Sequence, residues 1–221
     1  MHTKTELDVT ADRGLRRISP DSFVGVAAAI ALPLSGAGSV VADQAPTFIA
    51  QHVDGIMKTD LRARSLDIHW PSEFRPDAAD LFSHNELLID APCEKVWNHI
   101  IDASNWPHWY PNSKGVQLLN GAKVLGPDVQ WRWTTFGLAI ESHVHEYTRY
   151  SRLGWYGYAP GATPAFYHTW LLQPRASGCA VITDEAGLSK DAGHLRETDE
   201  GMMHRGHDLW LATLKWVSEG P

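Results

Sequence analysis

One histidine and one glutamate carry the sharpest chemical signal in the sequence. Alternate residues of a β-strand face opposite sides of its sheet. Along the strand-like run from Ala165, that alternation puts Phe166, His168, Trp170 and Leu172 on one face. On the next run Cys179, Val181, Thr183 and Glu185 share a parity, and on the preceding one Leu153, Trp155 and Gly157 do. The apolar weight of these sets marks them as the inward face, so His168 and Glu185 are expected on neighbouring strands among tryptophans. An imidazole beside a carboxylate in apolar surroundings suits general acid/base catalysis, because burial and pairing move both proton affinities toward neutral pH. The same residues admit a structural reading, in which His168 makes one hydrogen bond and Glu185 sits at an exposed strand end.

The remaining histidines give weaker patterns. His204 and His207 stand three apart in a helical segment, a spacing that can bring two rings to one helix face. His207 falls near the apolar stripe of Met203, Trp210 and Leu214, where it can hydrogen-bond a ligand carbonyl, while His204 is expected to point to solvent. Gly206 between them lets the helix bend or a ligand approach closely. His143-x-His145 is assigned to the outer face of its strand, where an exposed polar face is the simpler reading than chelation. A zinc ion held by His168, Glu185 and His207 is the least favoured of these readings, and neither a metal nor a cofactor is expected.

Composition narrows the function classes. The 221 residues carry 19 Lys+Arg against 26 Asp+Glu, a net charge of −7, which removes the broad cationic field that nucleic acid or anionic lipid requires. Glycine-rich phosphate loops, a GxSxG elbow and paired CxxC motifs are absent from the sequence. Ser189-Lys190 and Cys93 have no recognisable base or nucleophile partner. Cys93 and Cys179 are too few for a disulfide scaffold and pair only if the compartment is oxidising. The ten tryptophans all lie between Trp70 and Trp216; they either build a bulky core or wall a cavity for a flat apolar molecule.

Residues 1–42 read as an export signal: Arg16-Arg17, a weakly apolar Ala/Gly/Val run, and a Val40-Val41-Ala42 end. The paired arginines resemble a twin-arginine signal, although Ser19-Pro20 stands where a Phe-Leu pair is usual. The expected location is therefore periplasmic or secreted, otherwise cytoplasmic, and Pro33 with three glycines argues against a spanning helix. Residues 43–81 form a lead-in, with helical spacing through Phe48, Ile49, Val53, Ile56 and Met57 and then a loop wrapping over the domain. Residues 82–221 form the domain proper. A strand over Asn85–Asp90 and a helix over Cys93–Asp102 come first, and Ser104–Pro111 makes an aromatic turn or short helix. Strands follow over Val116–Leu119, Asp128–Phe136, Leu138–Thr148, Arg152–Tyr158, Ala165–Gln173 and Cys179–Gly187, and a helix over Thr198–Ser218 closes the chain. The short connections suit an antiparallel meander rather than a parallel sheet, since no helix-length crossover separates the strands.

Particular residues add to that order. Ile89-Asp90-Ala91-Pro92-x-Glu94-x-Val96-Trp97, Trp106-Pro107-x-Trp109-x-Pro111, Arg152-Leu153-x-Trp155-x-Gly157, His168-x-Trp170-x-Leu172-x-Pro174 and Gly178-Cys179-x-Val181-x-x-x-Glu185 follow one another along the chain. Together they resemble the polyketide cyclase/dehydrase and lipid-transport branch of the START-like (SRPBCC) superfamily. The resemblance implies an α+β helix-grip fold, a curved antiparallel sheet wrapped around a long C-terminal helix, with two short helices after the first strand. It implies a cavity for a hydrophobic or aromatic small molecule, walled by Trp131, Trp133, Trp155, Phe166, Trp170, Met203, His207, Trp210 and Leu214. Three functions stay open: a carrier, a cyclase/dehydratase using His168 and Glu185 for proton transfer, and a partner-binding or stress-type module without a ligand.

Overall fold

The computed structural model of the chain describes residues 55–220. The expected export segment, and the helical spacing expected from Phe48 to Val53, lie outside the described residues. A short helix α1 (Ile56–Ala63) and a 3-10 turn (Pro76–Ala78) lead into strand β1 (Leu81–Ile89). Helix α2 (Cys93–Ile101) and a 3-10 segment (Ala103–His108) follow, then β2 (Lys114–Leu118), β3 (Gln130–Thr135), β4 (Leu138–Thr148), β5 (Arg152–Tyr158), β6 (Phe166–Arg175) and β7 (Gly178–Gly187). Two helices close the chain, α3 (Lys190–Asp199) and α4 (Met202–Glu219). The strands form one antiparallel sheet in the order β1-β7-β6-β5-β4-β3-β2, and α4 lies across its concave face, where Trp210 meets Trp133, Trp155 and Trp170. This is the α+β helix-grip architecture.

Local sequence explains the pieces that hold the site. Pro92 opens α2 with Glu94 in its first turn, and Val96, Trp97 and Ile100 are buried on its inner side. The β3–β4 hairpin closes on Phe136 (φ 51°) and Gly137 (φ 78°), between the paired Thr135 and Leu138. Two successive left-handed residues make the tight turn whose twist matches its strands. Cys93 and Cys179 are joined in a disulfide, Cα–Cα 4.9 Å, which ties the start of α2 to the start of β7.

The concave side is filled by aromatic rings. Trp106 sits at the centre, with ring centroids 5.2–6.3 Å from those of Trp131, Trp133, Trp155 and Trp210. Its indole N–H donates to the Ile100 carbonyl at 3.0 Å. The lead-in covers the convex side: Met57 packs with Phe82 and Ala186, and Trp70 sets its ring edge-on to Phe82 and Tyr167.

Two element boundaries differ from expectation. β1 begins at Leu81, four residues before the strand read from the sequence, because Ser83, His84 and Asn85 are buried polar residues with side-chain partners. The single helix expected over Thr198–Ser218 is instead α4 preceded by a separate α3, with Glu200-Gly201 at the corner. Ser189 caps α3 by accepting a hydrogen bond from the Ala192 N–H at 3.1 Å.

Candidate functional site

Strands β6 and β7 pair His168 directly with Glu185, and β7 pairs with β1 so that Glu185 stands opposite Ser83. Helix α4 brings His207 down onto the same spot. Glu185 Oε2 lies 3.4 Å from His168 Nδ1 and 3.1 Å from His207 Nε2. The two imidazole planes are nearly perpendicular, with centroids 4.9 Å apart. Each ring is fixed from behind: His207 Nδ1 is 2.8 Å from the Ser83 hydroxyl, and His168 Nε2 is 2.9 Å from that of Thr183. Trp155 stacks flat on His168, centroids 4.4 Å apart at an interplanar angle of 4°.

Burial and pairing set the charge state. Burial pushes His168 down to about 4, outweighing the neighbouring carboxylate. For Glu185 burial raises the proton affinity, but the two imidazoles beside it outweigh that and hold the carboxyl near 2. At neutral pH the cluster therefore contains a carboxylate next to an uncharged His168. The Tyr110 phenol, pushed up by burial, stacks on Trp210 at 4.4 Å and closes the other flank.

The cluster opens onto a cavity of about 80 Å³, room for a few waters and far below the ~300 Å³ at which drug-sized ligand pockets begin. Of the residues expected to wall it, Trp133, Trp155, Phe166, Met203, His207 and Trp210 do, together with His168 and Glu185. Trp131, Trp170 and Leu214 do not line it; all three are fully buried in the core. Parity assigns a residue to a face of the sheet but not to a depth. Trp131 is packed against Trp106 and Trp155, and Trp170 lies further along β6, edge-on to Trp210.

The structure adds residues that the sequence did not single out. Phe136 at the hairpin turn lines the cavity and lies against Gly206 of α4, so closely that a Cβ there would overlap its ring. Gly206 thus admits an aromatic ring of the chain itself. Ser83 was missed because β1 was read from Asn85; extending the strand by two residues would have set it opposite Glu185. His204 does not point to solvent: its Nδ1 is 2.9 Å from Asp60 Oδ2 on α1. His145 Nδ1 lies 3.1 Å from the Tyr167 hydroxyl on the convex side, and His143 is near Asp128.

The model of the polyketide cyclase / dehydrase and lipid transport family matches residues 84–206. The chain belongs to that family. The matched span runs from β1 into α4 and includes His168 and Glu185; His207 follows its last residue. Among solved structures, the hypothetical protein jhp0584 from Helicobacter pylori is 27% identical, with a TM-score of 0.64 over 71% of this chain and 98% of that one. The di-domain ARO/CYC BexL from the BE-7585A biosynthetic pathway is 17% identical, with a TM-score of 0.53 over 79% of this chain and 61% of its own. The di-domain ARO/CYC StfQ from the steffimycin biosynthetic pathway is 13% identical, with a TM-score of 0.52 over 63% and 52%. The chain thus spans only about half to three-fifths of those two proteins, and at these identities they share its fold. No curated protein matches the chain. Among the described residues, no helix is long and apolar enough to cross a membrane.

Proposed function

We propose that this family member binds a small hydrophobic or aromatic molecule carrying at least one polar oxygen, held at the mouth of the grip. The observation that carries the reading is the convergence of His168, Glu185 and His207 on a mostly apolar cavity flanked by Trp133, Trp155 and Trp210. A few placed polar groups in an aromatic wall fix a ligand's orientation. The cavity is small, and Phe136 on its two-residue turn is one of the side chains whose displacement would enlarge it. Native mass spectrometry of the chain purified from its own host tests this. Retention of an apolar molecule that is released unchanged supports a carrier; a chain that retains nothing, and takes up no small aromatic ketone, supports the partner-binding reading instead.

A second reading, a cyclase/dehydratase, is favoured by one carboxylate shared between two imidazoles on the cavity wall. There His168 and Glu185 move a proton while the walls orient the substrate. Equal turnover by His168→Ala and the parent would refute that role. We also propose export, supported by the signal-like composition of residues 1–42 and by the Cys93–Cys179 disulfide. N-terminal sequencing of the accumulated protein tests it: a new terminus near Asp43 is expected, and an intact Met1 would refute it.

A further inference from the structure

We infer that His168, Glu185 and His207 form a binding site for a divalent metal ion of the zinc type, with one coordination position open to the cavity. This goes beyond the ligand-binding reading, does not depend on it, and reverses the expectation of no metal.

The donor set and its spacing carry the inference. One ligand atom from each of the three residues lies within 4.8 Å of the other two, and the two measured contacts to Glu185 Oε2 are 3.1 and 3.4 Å. Ligands held at zinc bond lengths in a tetrahedron stand about 3.3–3.4 Å apart. Two imidazole nitrogens and one carboxylate oxygen match zinc chemistry, and three protein ligands leave a fourth position free. All three residues line the cavity, so that position faces the space where a ligand oxygen would enter.

The surroundings are built as a metal's outer shell is built. Each imidazole presents one nitrogen to Glu185 and has a hydroxyl behind the other: Ser83 behind His207 and Thr183 behind His168. Such outer partners fix the ring orientation and the tautomer of ligating histidines. The Thr183 hydroxyl donates to the Thr169 carbonyl at 3.0 Å. When it donates there it accepts from His168 Nε2–H, the tautomer that leaves the Nδ1 lone pair free to ligate a cation beside Glu185. In that tautomer a metal ion between His168 Nδ1 and Glu185 Oε2 takes the place of the proton that Nδ1–H would otherwise donate to the carboxylate. The three residues come from β6, β7 and α4, elements locked by the sheet ladder and the tryptophan core, so the donors are held in place before any ion arrives.

The test uses the full chain stripped with a chelator and titrated with Zn²⁺ in competition with a chromophoric chelator, and separately with Co²⁺ followed by its visible bands. One ion per chain is expected, with Co²⁺ bands of a low-coordinate site. Glu185→Gln and His207→Gln should weaken binding by more than ~100-fold and Ser83→Ala by about 10-fold, with the fold retained by circular dichroism. His143→Gln with His145→Gln should leave affinity unchanged. If either ligand variant unfolds, the ¹⁵N spectrum of the parent decides: Zn²⁺ must shift His168 Nδ1 and leave the protonated Nε2 in place. Sub-stoichiometric binding, binding lost in the His143/His145 variant, or an unmoved His168 Nδ1 would overturn the inference. A small aromatic ketone that still binds the stripped chain would leave the ligand-binding reading standing even if the metal site fails.

Discussion

Replacing Gly206 by alanine perturbs the closest approach between α4 and the hairpin that closes the cavity. A Cβ built at Gly206 overlaps Phe136 Cζ and lies 2.5 Å from Cε1, where carbon atoms settle at about 3.5–4.0 Å. The ring must therefore retreat by more than ~1 Å. The ring retreats either about its own side-chain torsions or with a shift of the hairpin that carries it. Overpacking of this kind costs about 1–3 kcal/mol. The substitution also removes a mid-helix glycine, which returns about 0.8–1.0 kcal/mol. Gly206→Ala alone should thus be destabilising by up to ~2 kcal/mol. In a Phe136→Ala background the clash disappears and only the helix gain of about 1 kcal/mol remains. Urea unfolding of the four proteins of this cycle, at one pH and with unchanged m-values, measures a coupling of about 1–3 kcal/mol. Equal effects of Gly206→Ala in both backgrounds would refute the idea that this glycine exists to seat Phe136.

Three further outcomes follow from other parts of the molecule. Cys93→Ser with Cys179→Ser opens a link between residues 86 apart in sequence; loop entropy predicts a loss of ~4.5 kcal/mol, and denaturant unfolding under oxidising conditions should show at least ~2 kcal/mol. His204 has its proton affinity raised mainly by its hydrogen bond to Asp60, aided by Asp208 and opposed by burial and Arg205. A raised folded-state value means that this pair's contribution is complete below the ordinary histidine range and fades as pH rises through the folded value. The stability difference between the parent and His204→Gln should therefore shrink from pH 5.5 to pH 8.5 (values near ~6.5 being ordinary for histidine); a difference that grows with pH would contradict the pairing. Gly154→Ala places a Cβ 2.9 Å from Tyr167 Cζ and closer still to its hydroxyl, so it should cost about 1–3 kcal/mol in thermal or urea unfolding, and a neutral effect would show that the convex-side aromatic layer is loosely packed.

Much of the architecture was legible because its signals are local. The bounds of β4 and β5 agree with the strand-like runs between the turn residues Gly137 and Pro160-Gly161, and Pro92 marks the start of α2. What escaped were elements whose pattern is set by tertiary partners. Ser83 and His84 resemble loop in composition, yet each is buried because His207 and Asp184 answer its side chain from elsewhere in the fold. Helix α3 buries only Ala192, so it has no apolar stripe for periodicity to find. At the site, alternation set His168 and Glu185 on one face and helical spacing set His207 beside Met203 and Trp210. The depth of each tryptophan was beyond that kind of reasoning: ring-on-ring packing around Trp106 decides which rings fill the grip and which line its opening.

The central claim is that the grip accepts a small aromatic molecule against the His168–Glu185–His207 cluster. It is tested most directly by following the indole N–H resonances of the full chain in ¹H–¹⁵N spectra during titration with acetophenone, a flat ring with one carbonyl oxygen. The account predicts saturable shifts at Trp133, Trp155 and Trp210, which line the cavity, with Trp216, 75% exposed on the outer side of α4, and Trp70 on the convex face unmoved. Shifts confined to Trp216 or Trp70, or no saturable shift at any indole, would contradict it.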